Sequence, residues 1–258
     1  RPGNKGLIAQ RSLFPAGLWF VWIREIRRQF MTFSVAAILL TGGVIYQKIE
    51  GEHWRHVWVA SDIHGCYQWL MDELKRRHFN PDTDLLISVG DIIDRGPDSV
   101  KCLQLMQENW FYAIRGNHEQ MALDALINND FSLWSINGGN WFTGLKDAQQ
   151  KQAKGLLDAC RDLPHIIEIT CKNGLNVIAH ADYPSAEYGW HKPVDAQRVL
   201  WDRDRLMGFM VGKGQGISGA DHFWFGHTPV DKRYDFNNLH YIDTGAVFGG
   251  FLTLAQLQ

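Results

Sequence analysis

The sequence predicts one compact α/β domain, with a mixed β-sheet or two packed sheets flanked by helices. Three observations predict it. From Trp54 onward, apolar strand-like runs alternate with amphipathic stretches, the pattern of βαβ units with parallel pairing. Past Pro164 the pattern changes to short strands, two of them joined by Asn173-Gly174, a strong hairpin signal. No internal repeat or low-complexity linker divides the chain, whose 258 residues suit one large domain.

The elements follow in order. "HVWVAS" is a strand-like run ending in "DIHG". Tyr67, Leu70, Met71 and Leu74 then recur at i, i+3, i+4 and i+7, which predicts a helix. Asn80-Pro81-Asp82 makes a turn into "DLLISV", a second buried strand that ends in "GDIIDRG". Pro97 suits the opening of the next helix, where its missing N–H has no partner to lose. "WFYAI" is a third strand, ending in "RGNHE", and Met121, Ala122, Ala125 and Leu126 line one face of the helix after it. The stretch from Phe131 to Asp162 reads as helical and polar. "HIIEITCK" and "LNVIAH" form the hairpin, and "HFWFGHT", "KRYDF", "LHYID" and "FLTLAQL" are further short strands. "GFMVGKGQGISGA", with Lys213, is glycine-rich but lacks the strand–GxxxxGK[ST]–helix order of a phosphate-binding loop, and is expected to be a flexible loop.

Composition excludes little. An apolar fraction of 45% and a charged fraction of 21% are ordinary for a globular protein. A net charge of −2 offers no argument for a nucleic-acid partner. Cys66, Cys102, Cys160 and Cys171 show no CxxC pairing and read as reduced, mostly buried thiols of a cytoplasmic protein. Before Met31, Arg11, Arg24, Arg27 and Arg28 surround the apolar run "LFPAGLWFVWI"; after it comes "FSVAAILLTGGVIY". Neither run reaches the roughly 20 apolar residues of a membrane helix, and the second has the length of a signal-peptide core. An extended or misassigned start, a secretory signal and an amphipathic anchor compete. The first is favoured, because no small-x-small cleavage site stands out and the downstream chemistry belongs in the cytosol. Residues 1–45 are therefore expected to be an extension and 46–258 the domain, with no membrane partner.

The polar clusters all fall after hydrophobic strands: "DIHG", "GDIIDRG", "RGNHE", "IAHADYP" and "FGHTP". In α/β sheets, ligands bind at the carboxyl ends of strands. These strand ends deliver Asp62, His64, Asp91, Asp94, Arg95, Asn117, His118, His180 and His227 towards one edge. Oxygen and imidazole donors without a thiolate suit Mn, Fe or Zn. Gly65, Gly90, Gly96, Gly116 and Gly226 stand beside the clusters and allow tight turns where backbone must approach a metal or phosphate. Each cluster alone has a bland reading. Asp-x-His at a strand end is ordinarily a capped turn, Asn-His a helix cap, "DRG" a surface ion pair, and a histidine before Thr-Pro nothing in particular. All of them at strand ends together are not explained that way.

This ordered set resembles the PPP family of metal-dependent phosphoprotein phosphatases, in particular its bacterial and lambda-phage branch. The resemblance covers Tyr46 to Gln258 and includes "WDRDRL" and "YIDTGAVFGG"; Ser61 departs from it, standing where the family usually has glycine. The resemblance implies the calcineurin-like metallophosphoesterase fold, a sandwich of mixed sheets flanked by helices. It also implies a dinuclear centre of divalent ions, with Mn²⁺ foremost and Fe or Zn as alternatives. Carried over by position, Asp62 and His64 would bind one metal, Asp91 would bridge, and Asn117, His180 and His227 would complete the other. A shared carboxylate offsets the repulsion of two ions roughly 3.5–4 Å apart, and a bridging water becomes a hydroxide nucleophile. In the same reading His118 is the general acid, Asp94 orients its imidazole and Arg95 grips the phosphate. Arg203 is the second phosphate arginine, with Arg205 as the fallback, and Glu119 supports the ligands without being one. Proteins phosphorylated on serine or threonine, with phosphotyrosine as a further option, would be the substrates, in cytoplasmic signalling.

Two other functions are weighed against this one. A dinucleoside polyphosphate hydrolase is a related two-metal enzyme that usually lacks the aspartate of "DRG" and carries Asp after "GNH"; Asp94 and Glu119 argue against it. A catalytically inactive phosphopeptide-binding module would be expected to lack a metal ligand or His118, and none is missing.

Overall fold

The computed structural model describes residues 44–258. The apolar and basic runs of the N-terminal stretch lie outside the described residues, save the last of them at Val44–Tyr46. In chain order the named elements are β1 (Tyr46–Glu50), β2 (His56–Ala60), α1 (Tyr67–Arg76), β3 (Asp84–Ser88), α2 (Ser99–Gln104), β4 (Phe111–Ala113), α3 (Asn117–Asn128), α4 (Asp147–Ala159), β5 (Ile166–Cys171), β6 (Gly174–Ala179), α5 (Ala196–Trp201), α6 (Asp204–Met210), β7 (His222–Phe225), β8 (Tyr234–Phe236), β9 (Leu239–Tyr241) and β10 (Leu254–Gln256).

The strands form two sheets. One has the order β10-β2-β3-β4, the other β1-β5-β6-β7-β9-β8. In the first, β2, β3 and β4 run parallel and β10 closes the edge antiparallel to β2. In the second, β6, β7 and β9 are parallel neighbours, while β5 and β8 are antiparallel to β6 and β9. Strand β3 is buried along its whole length, as a central strand covered on both faces must be, which is why Leu85, Leu86 and Ile87 run apolar between Asp84 and Ser88. The two sheets pack face to face. Val57, Val59, Leu85 and Ile87 of one meet Ile49, Ile167, Ile169, Ile178 and Trp224 of the other. Helices α1–α4 cover the outer face of the smaller sheet through Leu70, Leu103, Leu123 and Leu157. Val199 and Leu206 of α5 and α6 pack on the outer face of the larger sheet.

The two-sheet alternative is therefore the one the chain adopts, and the Asn173-Gly174 hairpin is present, with Cys171 opposite Gly174. Three expectations need correction. The stretch after Phe131 is helical but not uniformly polar, because Trp134 and Phe142 are buried in the core. The glycine-rich loop begins later than read, since Gly208, Phe209 and Met210 end α6. Strand β1, parallel to β5 along its length, went unread because Gln47, Lys48 and Glu50 leave it mostly polar and it follows directly on an apolar run. All four cysteines are free and three are buried. Among the described residues, no helix is long and apolar enough to cross a membrane.

Candidate active site

Parallel neighbours end at the same edge of a sheet, so the loops leaving β2, β3 and β4 come together, as do those leaving β6, β7 and β9. The first three carry Asp62, His64, Asp91, Asp94, Arg95, Asn117 and His118; the second three carry His180, His227 and Asp243. Every one of these except Arg95 is buried.

Asp91 sits at the middle. Its Oδ2 is 3.6 Å from His64 Nε2, and its Oδ1 is 3.4 Å from His180 Nε2. Burial opposes its ionisation, but His180, His118 and His64 hold its carboxyl well below the ordinary range. Two groups of donor atoms converge around it: His64, Asp91 and His118, and Asp91, His180 and His227. Asn117 lies in the second, its Oδ1 2.8 Å from His180 Nε2 and 2.7 Å from His227 Nδ1. Asp62 is tied to the second sheet by accepting the His227 backbone N–H at 3.1 Å. Burial, then the charges of Asp243 and Asp91, push its carboxyl well above the usual range.

These residues fit divalent cations. His64 Nδ1 lies 2.8 Å from the Ile93 carbonyl and His180 Nδ1 2.7 Å from that of Val89, so each ring gives its N–H to backbone and turns the Nε2 lone pair inward. The His180 Nε2 then faces Asp91 Oδ1 and Asn117 Oδ1, and although burial opposes it, the Asp91 carboxylate favours positive charge at this ring, whether a proton or a cation. At His64 the Arg95 guanidinium supplies one, 2.5 Å away. His227 Nε2 is buried with no hydrogen-bond partner, and buried donors and acceptors are otherwise rarely left unpaired. Three carboxylates, Asp62, Asp91 and Asp243, share this enclosed space.

Around the centre the backbone is unusual. His64, Asp91, Asp94, Arg95 and His227 all have positive φ, between 45° and 76°. Glu119, at the third position of α3, anchors two of the loops. Its carboxylate accepts the N–H groups of Asp91, Ile92 and Gly116, each at 2.9 Å, in the manner of a capping glutamate extended to a second loop. It touches backbone only, as expected of a supporting residue. Burial, then the charge of Asp91, raise its carboxyl to about 7. Gly116 is glycine for a reason other than the turn first read there. Its φ is an ordinary −90°, but a Cβ would stand 2.2 Å from Asp91 Oδ1.

His118 and Asp94 form a closed pair, with Nδ1 2.6 Å from Oδ2 and both residues buried. Burial drives both toward neutrality, raising Asp94 to about 7 and lowering His118 to about 3. The His118 ring packs edge-on against His64, 4.7 Å between centroids, and its Nε2 stands 3.9 Å from Asp91 Oδ2. Arg95 is exposed, its guanidinium 5.2 Å from the ring centre of Phe248. Arg203 opens α6, and its charge is among those that depress His227. Arg205 is committed elsewhere: it pairs with Asp182 at 2.7 Å and donates to the carbonyls of Tyr183, Ser185 and Gln215.

Sequence reasoning passed over three residues here. Asp243 follows an apolar strand as the others do, so the same signal marks it; burial raises its carboxyl to about 6. Trp134 and Trp141 donate their indole N–H groups to Asp94 Oδ2 and Oδ1, each at 2.7 Å.

A two-sheet sandwich with a buried histidine–carboxylate centre at its strand ends is the arrangement of a metallophosphoesterase. Residues 55–231 match the calcineurin-like phosphoesterase family model, and the chain belongs to that family. It is 58% identical over 214 residues to serine/threonine-protein phosphatase 1 of Salmonella typhimurium, covering 83% of this chain and 97% of that protein. It is 47% identical over 213 residues to serine/threonine-protein phosphatase 2 of Escherichia coli, covering 83% and 98%. A solved structure provisionally assigned as a diadenosine tetraphosphatase superposes with a TM-score of 0.62 at 21% identity, covering 83% of this chain and 94% of that one, and supports the fold alone.

Proposed function

We propose that this chain is a metal-dependent phosphoprotein phosphatase that hydrolyses phosphoserine and phosphothreonine esters in the cytoplasm. The observation that carries the reading is the Asp91 carboxylate, offered to His64 by one oxygen and to His180 by the other. Asp62, His64 and Asp91 would hold one divalent cation; Asp91, Asn117, His180 and His227 would hold the second. Mn²⁺ suits this donor set of hard oxygen and imidazole. Such a pair of cations neutralises charge on the phosphoryl oxygens and acidifies the attacking water.

The rest belongs to the chain's own residues. Arg95, at the exposed side of the centre, and Arg203 bind the remaining phosphoryl oxygens through charge-assisted hydrogen bonds. His118 donates its Nδ1–H to Asp94; once Nε2 has taken up a second proton, that proton passes to the serine or threonine alkoxide as the ester bond breaks, and the ring returns to its neutral form. Arg205 is held by Asp182, whereas the charge of Arg203 acts on His227 at the centre, which favours Arg203 for this work. The names of the two relatives favour phosphoprotein substrates over dinucleotides, and four free cysteines suit a reducing compartment. The catalytic domain is residues 46–258, with the N-terminal stretch as an extension.

The test is hydrolysis of a phosphoserine peptide and of diadenosine tetraphosphate with added Mn²⁺, with and without chelator, alongside Mn²⁺ binding by equilibrium dialysis. Chelator-sensitive turnover of the peptide is expected. Preference for the dinucleotide would move the chain to the other enzyme class, and peptide binding without turnover would make it a binding module.

A further inference from the structure

Between residues 131 and 143 the chain carries no ionisable side chain, yet this segment closes directly over the Asp94-Arg95 dipeptide. Gly138 gives its carbonyl to the Arg95 N–H at 3.1 Å. With φ at +108°, Gly138 adopts a conformation suited to glycine, and a Cβ there would meet Arg95 Cγ at 2.6 Å. A Cβ at Gly139 would stand 2.4 Å from the Trp134 ring. The glycine pair thus lets the indoles of Trp134 and Trp141 reach the carboxylate. Their rings are nearly perpendicular, at 86°, and their N–H groups arrive at different oxygens of Asp94 from different directions.

A buried indole N–H needs an acceptor, but a backbone carbonyl would serve. A buried carboxylate needs donors far more. Indole is donor-only, so it holds a carboxylate without competing for a proton. Two such donors on opposite oxygens fix the carboxylate plane, and the third donor, His118 Nδ1 at 2.6 Å, must then take up one ring orientation.

We propose that Trp134 and Trp141 are positioning residues of the acid pair: a double-indole clamp fixes the Asp94 carboxylate and through it aims His118 Nε2 at the leaving oxygen. The catalytic consequence rests on the reading of His118 as general acid; the clamp itself does not.

Trp134→Phe and Trp141→Phe keep an aromatic ring at each place and remove the N–H groups, with some loss of buried volume that the Phe142→Leu control accounts for. Each is expected to lower kcat on a phosphoserine peptide by about 10-fold, less than the roughly 10²–10⁴ of losing a general acid outright, with KM nearly unchanged. Turnover of p-nitrophenyl phosphate, whose leaving group hardly needs a proton, should change by about twofold or less. In an Asp94→Ala background the tryptophan changes should add nothing, since the shared partner is gone. Phe142→Leu disturbs the same aromatic cluster without reaching Asp94; it should lower the melting temperature and leave the ratio of the two substrates alone. Equal losses on both substrates, or undiminished losses in the Asp94→Ala background, would overturn the positioning role. His118→Asn is measured alongside. If it shows no leaving-group selectivity, the general-acid reading falls, and ¹H–¹⁵N spectra decide the clamp independently. The two indole N–H resonances, identified by the phenylalanine variants, should lie downfield, exchange slowly and both move on Asp94→Ala. Resonances that stay in place would refute the clamp.

Discussion

The two sheets contribute differently to one centre. The smaller sheet supplies the His118–Asp94 pair, Arg95, His64 and Asp91; Arg203 opens a helix packed on the larger sheet. The larger sheet supplies His180, His227 and Asp243, which hold charge in place. Asp62 and Asn117 cross the divide, the first through the His227 backbone and the second through two imidazoles. The difference teaches that neither sheet has a site alone. In the proposed reading the leaving-group acid lies wholly on the smaller sheet, whereas the groups that would bind any phosphate ester come from both.

The largest break in this division comes at Asp91, which serves both halves. Asp91→Asn should lower activity by about 10³-fold or more, since several kcal/mol of charge stabilisation depend on the cations it would hold in the proposed reading. Equilibrium dialysis should show Mn²⁺ lost from the centre. Near wild-type turnover with both ions retained would show that Asp91 does not bridge.

A narrower break isolates the smaller sheet. His118→Asn should slow phosphoserine peptide hydrolysis by roughly 10²–10⁴ and p-nitrophenyl phosphate turnover much less. Asp94→Asn should repeat the selectivity more weakly. Comparing kcat/KM on the two substrates checks this, and equal losses would return His118 to a positioning or metal-holding role. Arg95→Ala should cost less and without discrimination. Losing charge-assisted hydrogen bonds of about 1.5–3 kcal/mol lowers kcat/KM roughly 10- to 150-fold on both esters alike. A loss confined to the peptide would instead tie Arg95 to the polypeptide around the phosphate.

The smallest effect is expected at the outer edge of the larger sheet. Ile45 and β1 pair with the chain at β5, where the Ile45 carbonyl accepts from His165 and Ile166. A chain beginning at Val44 should be as active as the full one; removing residues through Glu50 should cost soluble protein by baring the edge of β5. Thermal melting and activity of the two chains distinguish these outcomes, and inactivity of the longer one would place part of the working domain before Val44.

The strand-end clusters were legible because each places polar donors directly after an apolar run, and parallel pairing brings such ends together. Asp243 obeys the same rule and was readable by it. Trp134 and Trp141 were not. An aromatic residue in a helical stretch reads as core, and nothing in its spacing says that its N–H meets a carboxylate 40 or more positions earlier. Gly116 shows a subtler gap: its place in a turn is visible in sequence, but its reason, the approach of Asp91, is a contact between chain segments.

The left-handed backbone at His64, Asp91, Asp94, Arg95 and His227 has a consequence for heat. Non-glycine residues there each cost of order 1–3 kcal/mol and persist only while their surroundings hold them. The holding groups come from both sheets and from Glu119, so these loops depend on the sheets being docked. On warming, they should relax before the sandwich opens. Activity should therefore fade reversibly at temperatures where circular dichroism still reports an intact fold, and bound Mn²⁺ should narrow the interval between the two events.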